Sequence, residues 1–282
     1  MQAAINSGIT AFDTAFSYGL SGESDRLIAR HLSSDRHRYT ITAKVGQRYE
    51  DGRRVVRGDA DTLRRDAETS LHRCNLDRFD TLLLHDIDPA VPIATSAAAM
   101  AKICDDGMAD RIGICNATIE QIDSFADHCP VAVTQCGFNL LQPTAQQQFI
   151  PDCVARQIEV DVFWTLMKGL LAGRIRRGHR FTPGDSRSNY DIFQGDSFEQ
   201  AQQTLDRLDR LATTPHQTVA QLAIGWALSQ PGVHTAIVGA RHPEQIPEVA
   251  ATTRLPNNLL HQVTATTNPT TTNSPTKSAA TR

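Results

Sequence analysis

Four side chains carry groups that together can move a proton: a carboxylate at Asp13, a phenol at Tyr18, an ammonium at Lys44 and an imidazole at His85. Each ends a short β-rich run or lies in the loop just after one. Asp13 closes Gly8-Ile9-Thr10-Ala11-Phe12-Asp13, and Tyr18 follows in Phe16-Ser17-Tyr18-Gly19. Lys44 ends Ile41-Thr42-Ala43-Lys44, and His85 ends Leu82-Leu83-Leu84-His85. A free phenol ionises near pH ~10, too high for ready proton donation at neutral pH. An ammonium beside it stabilises the phenolate and lowers that value; a carboxylate beside the ammonium keeps it charged and oriented. A neutral imidazole donates a hydrogen bond that fixes the direction of a carbonyl oxygen. Such a set protonates a carbonyl oxygen while hydride arrives at carbon. Singly, each residue has a plainer use: Asp in a turn, Lys in solvent, His or Tyr in packing. Their convergence on run ends is what points to chemistry.

The elements that must position them alternate along the chain. β-rich runs fall at 10–13, 39–44, 81–85, 111–114, 131–135, 160–165 and 235–238. Segments of helical period lie between them at 23–32, 60–74, 93–105, 119–126, 145–156, 198–211 and 219–229. Strand, helix, strand at this spacing predicts a parallel sheet with helical crossovers. Seven strands with no Gly/Ser-rich linker fit one α/β domain, a (β/α)8 TIM barrel, in which the C-terminal strand ends carry function. The chain opens on a helical segment, 1–7, stopped by Gly8 as a C-terminal cap. No strand precedes it, so the barrel is expected to be N-terminally incomplete, short of one βα unit of about 30 residues. The barrel domain is expected over 1–263. The Thr/Asn/Pro-rich stretch 264–282 has too little apolar content to fold and is expected to be a disordered tail.

Composition sets the class. At 40 % hydrophobic and 21 % charged residues the chain is ordinary globular material. A net charge of −3 gives no electrostatic case for nucleic acid or an anionic membrane as partner. The six cysteines (Cys74, Cys104, Cys115, Cys129, Cys136 and Cys153) form no C-x-x-C pair, so neither a metal site nor a disulfide framework follows from their spacing. With no signal peptide and no run long enough to span a bilayer, a cytoplasmic location is expected.

At this point the sequence resembles the aldo-keto reductase family. Gly8-Ile9-Thr10-Ala11-Phe12-Asp13-Thr14-Ala15 followed by Tyr18-Gly19 matches the signature around that family's Asp and Tyr, and Glu23 falls where the family has a Ser-Glu pair. Thr42-Ala43-Lys44 and Leu83-Leu84-His85 match its Lys and His segments. The resemblance runs from residue 1 to about 251. It implies Tyr18 as general acid/base, Lys44 and Asp13 as its tuning pair and His85 as carbonyl orienter.

The same resemblance supplies a cofactor, although neither a G-x-G-x-x-G fingerprint nor a P-loop is present. Gly113-Ile114-Cys115-Asn116 resembles the family's Gly-x-Ser-Asn segment, with Cys115 in the Ser position and Asn116 bonding the nicotinamide amide. Gln135 matches the second amide partner, and Trp164 stands where a ring stacks on nicotinamide. Lys168-Gly169-Leu170-Leu171-Ala172-Gly173-Arg174 resembles the loop passing the pyrophosphate. Leu166 replaces a common Pro, and Val249 a frequent Asn near the adenine.

Ile237-Val238-Gly239-Ala240-Arg241-His242-Pro243-Glu244-Gln245 reads physically as strand, Gly turn, Arg, then Pro opening a helix. A helix N-terminus beside an Arg fork suits an anion. The resemblance assigns Gly239, Arg241 and Gln245 to the adenosine end, and the Arg implies a 2′-phosphate, hence NADPH.

The implied activity is NADPH-dependent reduction of a small-molecule aldehyde or ketone. Two competing readings stand beside it. One is a truncated, inactive relative that binds nucleotide as a binding or regulatory module. The other is a barrel aldolase or isomerase with Lys44 as Schiff-base amine, which requires a neutral Lys that Asp13 opposes. Substrate shape falls to the long loops 47–58 and 176–195; no residue pattern sets an oligomeric state.

Overall fold

The computed structural model describes residues 1–212 and 217–267. Helix α1 (Gln2–Asn6) ends at Gly8, whose φ of +79° is the left-handed turn expected of a Gly stop. It leads into β1 (Ala11–Asp13), α2 (Glu23–Leu32) and β2 (Thr40–Val45). A hairpin, β3 (Gln47–Glu50) and β4 (Arg53–Val56), precedes α3 (Ala60–Cys74) and β5 (Phe79–Leu84). Then follow α4 (Ile93–Asp105), β6 (Ala109–Cys115), α5 (Ile119–Ala126), β7 (Val133–Gly137), α6 (Phe149–Ala155) and β8 (Glu159–Phe163). The rest is α7 (Gly195–Leu211), α8 (Val219–Leu228), β9 (Val233–Ala236), α9 (Ile246–Ala250) and α10 (Asn257–Thr264).

Seven strands form one sheet in the order β1-β2-β5-β6-β7-β8-β9, every pair parallel. Gln135 on β7 donates to Asp13 on β1 at 2.8 Å. Those strands are four places apart, which in a flat sheet is about 19 Å. The bond therefore requires the sheet to curl into a barrel wall. Strands β1 and β9 end the strand order and find no eighth strand between them among the described residues. The fold is thus an incomplete (β/α)8 barrel, as the sequence predicts.

The outer face of the sheet is covered by the helices, which is why its residues are apolar. Outward-facing Ile41, Ala43, Leu82, Leu84, Ile112, Ile114, Val160 and Val162 pack in the main core with Leu63, Met100, Phe125, Leu205 and Trp226 of the helices. Leu83, Cys115 and Val133 form a separate small cluster on the inner face, with Phe163 against it. Four of the six cysteines are buried and all six are free thiols.

Three sequence expectations need correcting. Residues 47–56 are a hairpin rather than an open loop, turned by Asp51 and Gly52, both at positive φ. The helix expected over 145–156 is a 3₁₀ turn, Thr144–Gln146, followed by α6, where Pro151 in the first turn limits how far the helix extends upstream. Residues 264–267 pack onto the barrel: Trp226 donates to Thr264 Oγ1 at 2.9 Å, and Arg207 to the Thr266 carbonyl at 2.9 Å. The remainder of the expected tail, 268–282, lies outside the described residues. No helix among the described residues is long and apolar enough to cross a membrane.

Candidate active site

The C-terminal rim of the sheet gathers the side chains singled out in the sequence. Asp13 is the last residue of β1, Lys44 lies near the end of β2, and His85 follows β5. Lys44, only 2 % exposed, is the hub. Its ammonium donates to Asp13 Oδ1, to the Tyr18 hydroxyl at 3.2 Å and to the Thr14 carbonyl at 3.3 Å. Asp13 takes its second bond, at Oδ2, from Gln135. Tyr18 and His85 meet edge to face, ring centroids 5.8 Å apart. The four expected residues therefore form one continuous cluster.

Electrostatics set Lys44, His85 and Tyr18 apart. Burial works against the Lys44 ammonium, but Asp13 and Tyr18 more than offset it, and its pKa is raised. His85 is pushed down to about 3 by burial and by Lys44 and Arg54, so it is neutral at physiological pH. Its Nδ1 is buried and has no partner among the described residues. Tyr18 departs from the sequence expectation. Lys44 pulls the phenol down, but loss of water at the hydroxyl outweighs it, and the pKa stands above the usual value. The ring itself remains 36 % exposed, open to whatever enters the rim. Cys115, buried beside Lys44, is raised to about 12 by burial and remains a neutral thiol.

The residues assigned to a nicotinamide cofactor line the same rim. Asn116 donates Nδ2 to the His85 carbonyl at 3.1 Å, and Gln135 donates Nε2 to Asp13. Each amide is thereby oriented with its oxygen unpaired among the described residues, as a carboxamide NH₂ would require. Asn116, Trp164, Met167 and Lys168 all have positive φ, between +40° and +58°. For Trp and Met that conformation is costly and calls for a local reason. Trp164 is 36 % exposed. The Lys168 ammonium lies 4.4 Å from the ring centroids of both Trp164 and Tyr190, held by two aromatic faces. At the far end, Gly239 and Arg241 are exposed, and Pro243 opens a 3₁₀ turn leading into the five-residue α9. Arg241 forms no ion pair among the described residues. Gln245 turns its Oε1 inward to accept from the Arg241 and His242 amides at 2.9 and 3.0 Å, so it shapes this turn directly.

Some members escaped the sequence reading. Glu23, matched to the signature, is exposed, and among the described residues its carboxylate bonds only Ser21. The carboxylate that serves the strand end is Asp25, 0 % exposed, which accepts from Thr14. A signal existed, since Asp25 sits on the inward stripe of α2 with Ile28 and Leu32. Arg54, whose charge acts on His85, was hidden in the unrecognised hairpin, although Asp51-Gly52 is a strong hairpin signal.

A parallel βα wall with a buried Lys–carboxylate pair under an exposed Tyr defines a rim suited to proton transfer. The comparisons agree with the fold and extend it. The aldo/keto reductase family model matches residues 1–265, and the chain belongs to that family. The aldo-keto reductase YhdN of Bacillus subtilis is 30 % identical over 249 residues, covering 87 % of this chain and 75 % of that protein. The NADH-specific methylglyoxal reductase of Escherichia coli is 26 % identical, covering 86 % and 78 %. Among solved structures, the glycerol dehydrogenase AKR11B4 from Gluconobacter oxydans superposes with a TM-score of 0.87 at 29 % identity, covering 94 % of this chain and 83 % of that one. An aldo/keto reductase from Klebsiella pneumoniae in complex with NADP and acetate gives 0.70 at 25 % identity, covering 93 % and 81 %.

Proposed function

We propose that this chain reduces an aldehyde or ketone to an alcohol with NADPH, Tyr18 delivering the proton. The observation that carries the reading is the chain of contacts from Asp13 through the Lys44 ammonium to the Tyr18 hydroxyl. When bound, the nicotinamide supplies the hydride. The chain's own residues do the rest. Tyr18 gives its phenolic proton to the developing alkoxide oxygen, and Lys44 at 3.2 Å stabilises the phenolate left behind. Asp13 keeps Lys44 charged, and its second bond from Gln135 fixes the carboxylate plane. Neutral His85 donates to the substrate oxygen and sets its direction. Asn116 and Gln135 would accept from the nicotinamide amide, Trp164 would stack on the ring, and Cys115 replaces a stronger donor there. Lys168 would serve the pyrophosphate on leaving its two rings. Gly239, Arg241 and Gln245 would shape the adenosine end, with the free Arg241 fork on a 2′-phosphate.

Support for the cofactor comes from the NADP-bound Klebsiella structure and from the free Arg241. The Escherichia coli relative, by its name, uses NADH. The test is NADPH consumption by the purified chain with a panel of aldehydes. Tyr18→Phe should abolish turnover and leave NADPH affinity unchanged. Retained turnover in that variant removes Tyr18 from its role; no turnover and no NADPH binding in the parent chain removes the whole reading.

A further inference from the structure

A second carboxylate, on no part of the rim, is linked to the same Lys through Thr14. Asp25 on α2 is fully buried and accepts from two hydroxyls, Thr14 at its Oδ1 and Ser70 of α3 at its Oδ2, both at 2.8 Å. Thr14 and Ser70 are also 0 % exposed. The Ser24 hydroxyl lies 2.8 Å from Thr14 Oγ1. A hydroxyl has one hydrogen, so Thr14 gives its own to the carboxylate and accepts from Ser24. Residue 14 is consequently held at every polar atom. Its amide donates to the Thr42 carbonyl at 2.8 Å, its side chain is clamped by α2, and its carbonyl accepts from Lys44 Nζ at 3.3 Å. Asp13, whose carboxylate also accepts from the ammonium, is the preceding residue.

Burying a carboxylate is expensive. A staple between a strand end and two helices needs no charge, since neutral hydroxyls and amides make such staples. What an acceptor-only carboxylate adds is a fixed donor direction at Thr14, hence a fixed carbonyl for Lys44. We infer that Asp25, acting through Thr14, is a positioning residue that holds the Lys44 ammonium beneath the Tyr18 hydroxyl. This rests on the reading of Lys44 and Tyr18 as the proton-delivering pair.

The groups that face Tyr18 are Lys44 of β2, Asp13 of β1, Cys115 of β6 and His85 after β5; Asp25 touches none of them directly. The test therefore reads Tyr18 itself, in the full chain without cofactor. The protein is labelled with a fluorinated tyrosine whose phenol ionises at lower pH, and Tyr18 is followed by fluorine NMR, assigned by loss of its signal in Tyr18→Phe. Thr14→Val, which keeps shape and removes the hydroxyl, should move the Tyr18 ionisation upward by roughly half a unit or more, because Lys44 is less tightly held. Thr14→Ser should restore it. Asp25→Ala should reproduce the shift and add nothing in the Thr14→Val background.

If Asp25→Ala fails to fold, the Thr14 pair alone decides. A lower melting temperature in Thr14→Val with the Tyr18 ionisation unmoved overturns the inference and leaves a structural staple. A shifted ionisation in a chain that turns over no carbonyl supports the clamp while refuting the proposed reaction.

Discussion

Replacing Lys44 by Met keeps the length of the side chain and removes the charge on which the proposed chemistry depends. At 3.2 Å from the Tyr18 oxygen, a unit charge is worth about 5 kcal/mol to the phenolate at an effective dielectric of about 20. The Tyr18 ring is 36 % exposed, so solvent screening takes roughly half of this. Some 2–3 kcal/mol remains, or about two pKa units. Lys44→Met should therefore raise the Tyr18 ionisation by about two units and slow the chemical step between about tenfold and a hundredfold. Single-turnover loss of NADPH absorbance is the proper assay, because product release can mask chemistry in the steady state. NADPH affinity, measured separately, should hold. A single-turnover rate within about threefold of the parent, with the Tyr18 ionisation unmoved, would refute the tuning argument.

Three further outcomes follow from other parts of the structure. A Cβ on Gly113 would lie 2.2 Å from the Val133 carbonyl oxygen and 2.4 Å from Leu83, so Gly113→Ala should cost about 3 kcal/mol and lower the melting temperature by roughly 6–12 °C; a change within about 2 °C contradicts that packing. His85, depressed to about 3 from 6.5, takes up a proton in the unfolded chain before it does so folded. Its share of stability is intact above pH 6.5 and is lost as pH falls, by about 2 kcal/mol at pH 5, so His85→Gln should flatten the denaturant-unfolding curve between pH 8 and 5. Parallel curves for variant and parent would sink this. Arg241→Ala should weaken NADPH tenfold to about a hundredfold while barely touching NADH; equal loss for both coenzymes means that the fork serves something other than a 2′-phosphate.

The strands were legible because the residues that face the helices are β-branched or apolar and polar residues mark the strand ends. All seven appear within two residues of their expected positions. Helix starts were legible wherever a cap fixes them, as at Thr118 and Thr218, each reciprocated by a Gln three residues on. Less visible were features set by tertiary contact. Only the stripe that Asp25 shares with Ile28 and Leu32 on α2 marks it as buried and Glu23 as exposed, a faint signal at the start of a polar turn. The raised pKa of Tyr18 is invisible in sequence, which shows the neighbouring Lys but not the lost water. Lys168 between Trp164 and Tyr190 depends on a contact across 22 residues, which periodicity cannot register.

The cluster itself is a consequence of register. Asp13 pairs with Thr42, two before Lys44; Lys44 pairs with Leu83, two before His85; Leu83 pairs with Gly113, two before Cys115, which pairs with Gln135. Each step of zero or two preserves the face of the sheet, so all these side chains point inward. The intervening Ile41, Ala43, Val45, Leu82, Leu84, Ile112 and Ile114 point to the helices. A slip of one residue between any two strands would bury the ammonium or the carboxylate against α3 or α4 and turn an isoleucine or a leucine into the rim. The apolar outer face thus enforces the polar inner one: the burial that selects this register is also what brings Lys44 to Asp13 and Tyr18.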